Sequence, residues 1–210
     1  MKYFLIVVLS VFSGLSAAEE LVLEYKSFYS HVRKLNSEDT NKLQFAFGLR
    51  HIERQTMCEI TEARISTDKK QIPINITSEN RFTVPLERAL NMVNAKVILQ
   101  LNDAANKCDM SVQLETIPEL VKNAYSQQEL TELFNQYAIF FEDMGGFLSF
   151  MMPSVSGLVI HFDDLNYEKL KSGHEIINGR LELSEQDIKD LVTIEFTETP
   201  LRITALTQSS

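Results

Sequence analysis

Cysteine is scarce in this chain: 210 residues hold two, Cys58 and Cys108, and they do not form a CxxC pair. That spacing excludes redox catalysis of the thioredoxin kind. Cationic residues are outnumbered, 20 Lys and Arg against 29 Asp and Glu, and they are scattered with no basic stripe interleaved with aromatics. An acidic body repels phosphate backbones and anionic membrane surfaces, which argues against nucleic-acid binding. No HExxH, EF-hand loop, P-loop or GxGxxG occurs. The stretch Ser154-Val155-Ser156-Gly157 lacks the first glycine of a nucleophile elbow. Long hydrophobic runs are missing too. Met144 to Ile160 carries no charge over seventeen residues, but glycines, serines and Pro153 interrupt it. It falls short of the ~20 apolar residues of a spanning helix.

What is present begins at the N-terminus. Lys2 provides a positive start, Tyr3 to Phe12 an apolar run, and Ser16-Ala17-Ala18 a small-residue cleavage site. This is the pattern of a signal peptide over residues 1–18, with export and a mature chain starting at Glu19. Losing one lysine and no acid takes the net charge from −9 to −10. An oxidising compartment and an even count of two leave one intramolecular pairing, so a Cys58–Cys108 disulfide is expected as a staple. With 44% hydrophobic residues the body has material for a core. One α+β domain is expected over 19–206, with a possible subdivision near 118–125 and a loose tail over 207–210.

Periodicity predicts the elements. Tyr25, Phe28, Tyr29, Val32 and Leu35 recur at helical spacing, and Leu43, Phe45, Phe47 and Leu49 alternate as in a strand. CEITEARIS, QIPINIT, RFTV, KVILQL and CDMSVQL read as antiparallel strands, with a single helical turn at PLERAL after its proline. Ser126 and Glu129 form a capping box that starts a second helix through Leu130, Leu133, Phe134, Tyr137, Phe141 and Met144, with Gly145 at its end. GLVIHF, HEIINGRLEL, LVTIEF and LRITAL complete a strand-rich C-terminal part, and SEQD from Ser184 starts a short helix. The fold class is therefore α+β, mainly antiparallel strands packed with two amphipathic helices. An internal echo links NRFTVPLERALNMVNAKVILQL to NGRLELSEQDIKDLVTIEF: each reads turn, strand, helical turn, strand.

Candidate chemistry is sparse. The stretch from Met144 to Phe162 is read first as core bridging helix and sheet. Its alternative is an apolar groove of Phe147, Phe150, Met151 and Met152, whose adaptable side chains suit a lipid or a partner peptide. His161, Asp163 and Asp164 form HxDD, with His174-Glu175 further on, a set that a metal or a general base could draw on. A solvated strand end accounts for it more simply, so no metal, cofactor or catalytic residue is assigned. Asn75-Ile76-Thr77 fits a glycosylation sequon, which matters only in a eukaryotic source.

LEYKSFYSHVRKLN, MCEITEARI, RFTVPLERAL, KCDMSVQL and MGGFLSFMMPSVSGLVIHF together resemble a family of exported Gram-negative proteins of unknown function. The likeness covers Leu23 to Phe162 and implies a soluble periplasmic protein with no assigned activity. By elimination, the expected function is a non-enzymatic module contacting another envelope protein, with no membrane span after signal cleavage. A carrier of a hydrophobic ligand is the alternative. A hydrolase or metalloprotein using His161 and Asp163 stands third.

Overall fold

The computed structural model describes residues 19–145, 154–167 and 174–208. Residues 1–18, where a signal peptide is expected, and the groove candidates Phe147, Phe150, Met151 and Met152 lie outside them. The architecture is α+β with strands predominating, every paired strand antiparallel to its neighbours among the described residues.

The first half of the chain contains β1 (Glu19–Glu24), α1 (Tyr25–Val32), β2 (Leu43–His51), β3 (Ile60–Ser66), β4 (Gln71–Ile74), β5 (Arg81–Phe82), α2 (Arg88–Met92), β6 (Lys96–Leu101) and β7 (Cys108–Thr116). Two sheets result, ordered β1-β6-β3-β4 and β5-β2-β7. The alternation of β2 works as expected: Phe45, Phe47 and Leu49 are buried, and Phe28 of α1 meets Phe47 edge-on with ring centroids 4.9 Å apart. Strand β1 is not legible in the sequence because the alternation in EELVLE is weak without its partner strand. Its Leu21 and Leu23 pack inward while Val22 faces out, and it pairs along β6. Helix α2 starts at Arg88, three residues after Pro85, and not at the proline.

The second half contains β8 (Ala124–Ser126), α3 (Gln127–Gly145), β9 (Ser154–His161), β10 (Arg180–Ser184), α4 (Glu185–Asp190), β11 (Thr193–Glu195) and β12 (Arg202–Gln208). The expected capping box opens α3: Glu129 N donates to Ser126 Oγ at 3.3 Å, and Ser126 N donates to a Glu129 carboxylate oxygen at 2.9 Å. Ser184 and Asp187 make the same reciprocal pair at α4. The buried face of α3 is Leu130, Leu133, Gln136, Tyr137 and Phe140, whereas Met144 is exposed. Four α-helices are thus described, two of them short. Thr207 and Gln208, expected in the tail, continue β12 beside Val155 and Ser154.

The two halves follow one plan. Pairings β1–β6, β2–β5 and β2–β7 of the first recur as β8–β11, β9–β10 and β9–β12 of the second. Tyr25 N, at the start of α1, donates to Ala95 O just before β6; Gln127 N, at the start of α3, donates to Val192 O just before β11. Left-handed residues, Asn80 in one half and Asn178-Gly179 in the other, lead into β5 and β10. Arg81 pairs with Gly48 and Arg180 pairs with His161, which aligns Phe45, Phe47 and Leu49 with Leu158, Ile160 and Phe162, all buried. The sequence echo was the visible part of this repeat. The β3–β4 hairpin is the main departure, inserted between β2 and β5 and paired with β6.

Strands β7 and β12, outer strands of their sheets, lie against each other where the halves meet. Buried Tyr137 of α3 ties this seam: its hydroxyl donates to Ile203 O at 2.7 Å and lies 3.1 Å from Thr116 Oγ1. Gln136 clips α3 to the first half, accepting from Lys42 N at 2.8 Å and donating to Asn41 Oδ1 at 3.1 Å.

Candidate functional site

The seam has two sides because strand side chains alternate. Phe45, Phe47, Leu158 and Ile160 occupy the core side. Gln44, Ala46 and Gly48 of β2 and Val159 and His161 of β9 occupy the other, and there a cleft of about 350 Å³ opens. Its lining includes Gln44, Glu79, Arg81, Glu115 and Arg202. The turn after β4 brings Glu79 over the cleft: Asn80 N donates to Thr77 O at 3.0 Å, and Thr77 N to Arg81 O at 2.8 Å.

Hydrogen bonds define the protonation states. Arg202 Nη1 is ion-paired with Glu79, and its Nη2 lies 3.3 Å from His161 Nδ1. A guanidinium only donates, so His161 Nδ1 accepts and the ring proton sits on Nε2, which is 2.9 Å from Thr204 Oγ1. Burial, reinforced by Arg202, Arg180 and Arg81, pushes His161 down to about 3. Glu115 accepts from Gln44 Nε2 at 2.9 Å. Burial pushes its carboxyl upward against that bond and against Arg202 and Arg81. Burial also weakens the hold of Arg81 on its proton, with Arg202 adding repulsion. Arg81 Nη2 reaches Ser111 Oγ at 3.5 Å. Arg81 Nη1 and Arg202 Nε are buried and have no partner among the described residues.

The neutral His161 yields a pH prediction. The unfolded imidazole takes a proton as pH falls through about 6.5, whereas the folded one resists until about 3. Its contribution to stability is therefore whole above pH 6.5 and is lost progressively below. Between pH 7 and 5 the loss is ~2 kcal/mol. His161→Gln, which can still accept from Arg202 and donate to Thr204, should show a pH–stability curve flatter by that amount in urea unfolding. Parallel curves would remove the buried neutral imidazole from the account.

The HxDD set does not converge. His161 closes β9 and turns to Thr204 and Arg202, while Asp163 and Asp164 are exposed beyond the strand end. His174 lies 4.0 Å from Asp187 at the start of α4. Among the described residues, one group of His, Cys, Asp and Glu is close enough to hold an ion: Cys58, Asp103 and Cys108. Both sulfurs there belong to the disulfide, which forms as expected with Cα atoms 6.4 Å apart, so neither is a thiolate ligand. A second cleft, of about 410 Å³, runs between β1 and β7 beneath α1, lined by Val22, Leu23, Phe28, Phe47, Met110 and Val112. No helix among the described residues is long and apolar enough to cross a membrane.

Sequence reasoning missed the seam cleft. Glu79 and Arg202 are 123 positions apart, and no local spacing marks either as a site residue. The one usable signal was the echo, which places Arg81 and Arg180 at matching points.

The chain matches, over residues 17–162, the family described as protein of unknown function (DUF2987). The match takes in the whole first half together with β8, α3 and β9, and so includes Glu79, Arg81, Glu115 and His161 but not Arg202 or Thr204. No curated protein and no solved structure matches. Since the match spans well over half of the 210 residues, the chain belongs to the DUF2987 family of proteins of unknown function.

Proposed function

We propose that the protein is an exported, non-enzymatic module of the bacterial envelope that works in the periplasm by contacting another envelope component, with the seam cleft as its recognition site. The observation that carries this reading is the convergence on one cleft of Arg81 Nη1 and Arg202 Nε, two of the three buried guanidinium donors without partners among the described residues; the third, Arg64 Nε, lies outside it. Each buried orphan is costly, so two facing one cleft mark where an acceptor is missing. A recognition site leaves such groups for the molecule it binds. Export is supported by the leader pattern of residues 1–18 and is compatible with the disulfide.

The test is retention from an envelope extract on immobilised mature protein, beside Arg81→Gln. A component held by the wild type and lost with a folded variant is the expected result. Retention of nothing specific, or equal retention by both, removes the reading.

A second reading, carriage of an apolar ligand, is favoured by the groove beneath α1, where Val22, Met110 and Val112 are 51, 43 and 40% exposed. Native mass spectrometry of protein purified from the periplasm separates the two: a co-purifying lipid favours carriage, and a clean apo mass counts against it.

A further inference from the structure

We infer that the seam cleft receives a small oxyanion, the carboxylate or phosphate group of a larger molecule, between the guanidinium groups of Arg81 and Arg202; this rests on the reading of the cleft as a recognition site. The hydrogen-bond inventory is the first argument. Arg202 commits Nη1 to Glu79 and Nη2 to His161, which leaves Nε buried and unpartnered among the described residues. Arg81 reaches Ser111 with Nη2 at the outer limit of a hydrogen bond, 3.5 Å, and its Nη1 is in the same unpartnered state. Guanidinium groups have no acceptor capacity, so only a group with lone pairs can complete these two residues.

Charge is the second argument. Two cations face two carboxylates, but the carboxylates are not equally available. Glu79 is engaged by Arg202, and Glu115 is bonded to Gln44. His161 is neutral and adds nothing to either side. Two guanidinium groups thus stand against two carboxylates inside a chain whose net charge is −9, and Arg81 is the cation that neither carboxylate engages among the described residues. Burial strengthens this local field, while the distant surface carboxylates are screened within about 10 Å by salt. An anion is attracted at short range, and selected against elsewhere on the surface.

Geometry supplies the third. A cleft of about 350 Å³ holds an anionic head and the first part of what carries it. Arginine forks match the planar oxygens of a carboxylate and the tetrahedral face of a phosphate better than lysine does. The two arginines come from different halves, Arg81 from β5 and Arg202 from β12. The anion site therefore exists only when the seam is closed.

The experiment is a titration of the mature protein with inorganic phosphate and, separately, acetate at constant ionic strength set by chloride. The arginine Nε–H and Nη–H signals of Arg81 and Arg202 are followed by NMR. Saturable shifts are expected, with the apparent Kd weakened about tenfold or more in Arg81→Gln and unchanged in Arg50→Gln, an exposed arginine near the end of β2. The probe giving the tighter response identifies the source, phosphate or carboxylate. Shifts no larger than those with chloride, or equal in Arg81→Gln, overturn the proposal. Should Arg81→Gln not fold, the wild type decides: either oxyanion must raise its melting midpoint above chloride at equal ionic strength, and equal midpoints overturn the proposal. A null titration beside a cleft-dependent envelope component sinks the oxyanion and spares the recognition site. Failure of both sinks the two together.

Discussion

The protein with both Cys58 and Cys108 changed to alanine is expected to be ~4 kcal/mol less stable than the oxidised wild type, the chain-entropy value for a loop of this size. The bond spans a sequence separation of 50 and joins the approach to β3 with the first residue of β7. The folded chain at both ends is held by other means: Cys58 N donates to Leu49 O at 2.8 Å, and Cys108 faces His51 at the end of the nine-residue β2–β7 register. Losing the crosslink therefore acts mainly on the unfolded chain, which becomes free to expand. Urea unfolding should show a lower midpoint and a steeper dependence on denaturant for the double variant, because more surface is exposed on unfolding. Reductant should move the wild type to the same curve and leave the variant where it is. A loss below about 1 kcal/mol would mean that the bond holds nothing the sheets do not already hold.

Gly157→Ala is expected to cost about as much, ~4 kcal/mol or more, for a steric reason. A β-carbon at residue 157 would sit 2.0 Å from Leu183 O and 2.8 Å from Ser184 Cα. Both atoms are backbone of β10, so relief requires β9 and β10 to part, and β9 is the middle strand of its sheet. The strand carries Leu158 and Ile160 into the core, so parting it there opens the second half. Gly48→Ala is the comparison. There the closest atom, at 2.4 Å, is Met57 Cε, the free end of a flexible side chain, followed by Asn80 O at 2.9 Å. Methionine can swing aside, and a cost of ~1–3 kcal/mol is expected. Paired urea unfolding curves check the ranking. If Gly157→Ala proves no worse than Gly48→Ala, the close approach of β9 to β10 is wrong.

How much could be read beforehand differed from element to element. Phe45, Phe47 and Leu49 announced β2 because the alternation of large apolar side chains is a property of nine neighbouring residues. Ser126 with Glu129 announced α3, because a cap is a contact three residues long, and the acidic SEQD run announced α4, because carboxylates favour the positive end of a helix; the Ser184–Asp187 cap emerged with the structure. The α3 stripe came out slightly turned, burying Phe140 and exposing Met144, since the final rotation of a helix is chosen by what it packs against. Strand β1 was invisible. Glu19–Glu24 has half-buried leucines between exposed residues, a pattern too weak to register without β6 beside it. The HxDD set, expected as a solvated strand end, leaves Asp163 and Asp164 exposed where β9 has ended, while His161 turns to Arg202 and Thr204.

Read alone, the sequence determined the α+β class, most of the strands, both capped helices and the one disulfide that two cysteines permit. Each of these depends on interactions within a few residues or on a pairing with no competitor. Only the tertiary structure decided that the two halves share one plan of strand pairing, that β7 meets β12, and that Glu79, Arg81, Glu115, His161 and Arg202 gather at the seam. Their convergence is a sum of long-range pairings, and a charge cluster assembled from four separate segments leaves no periodic trace in any one of them.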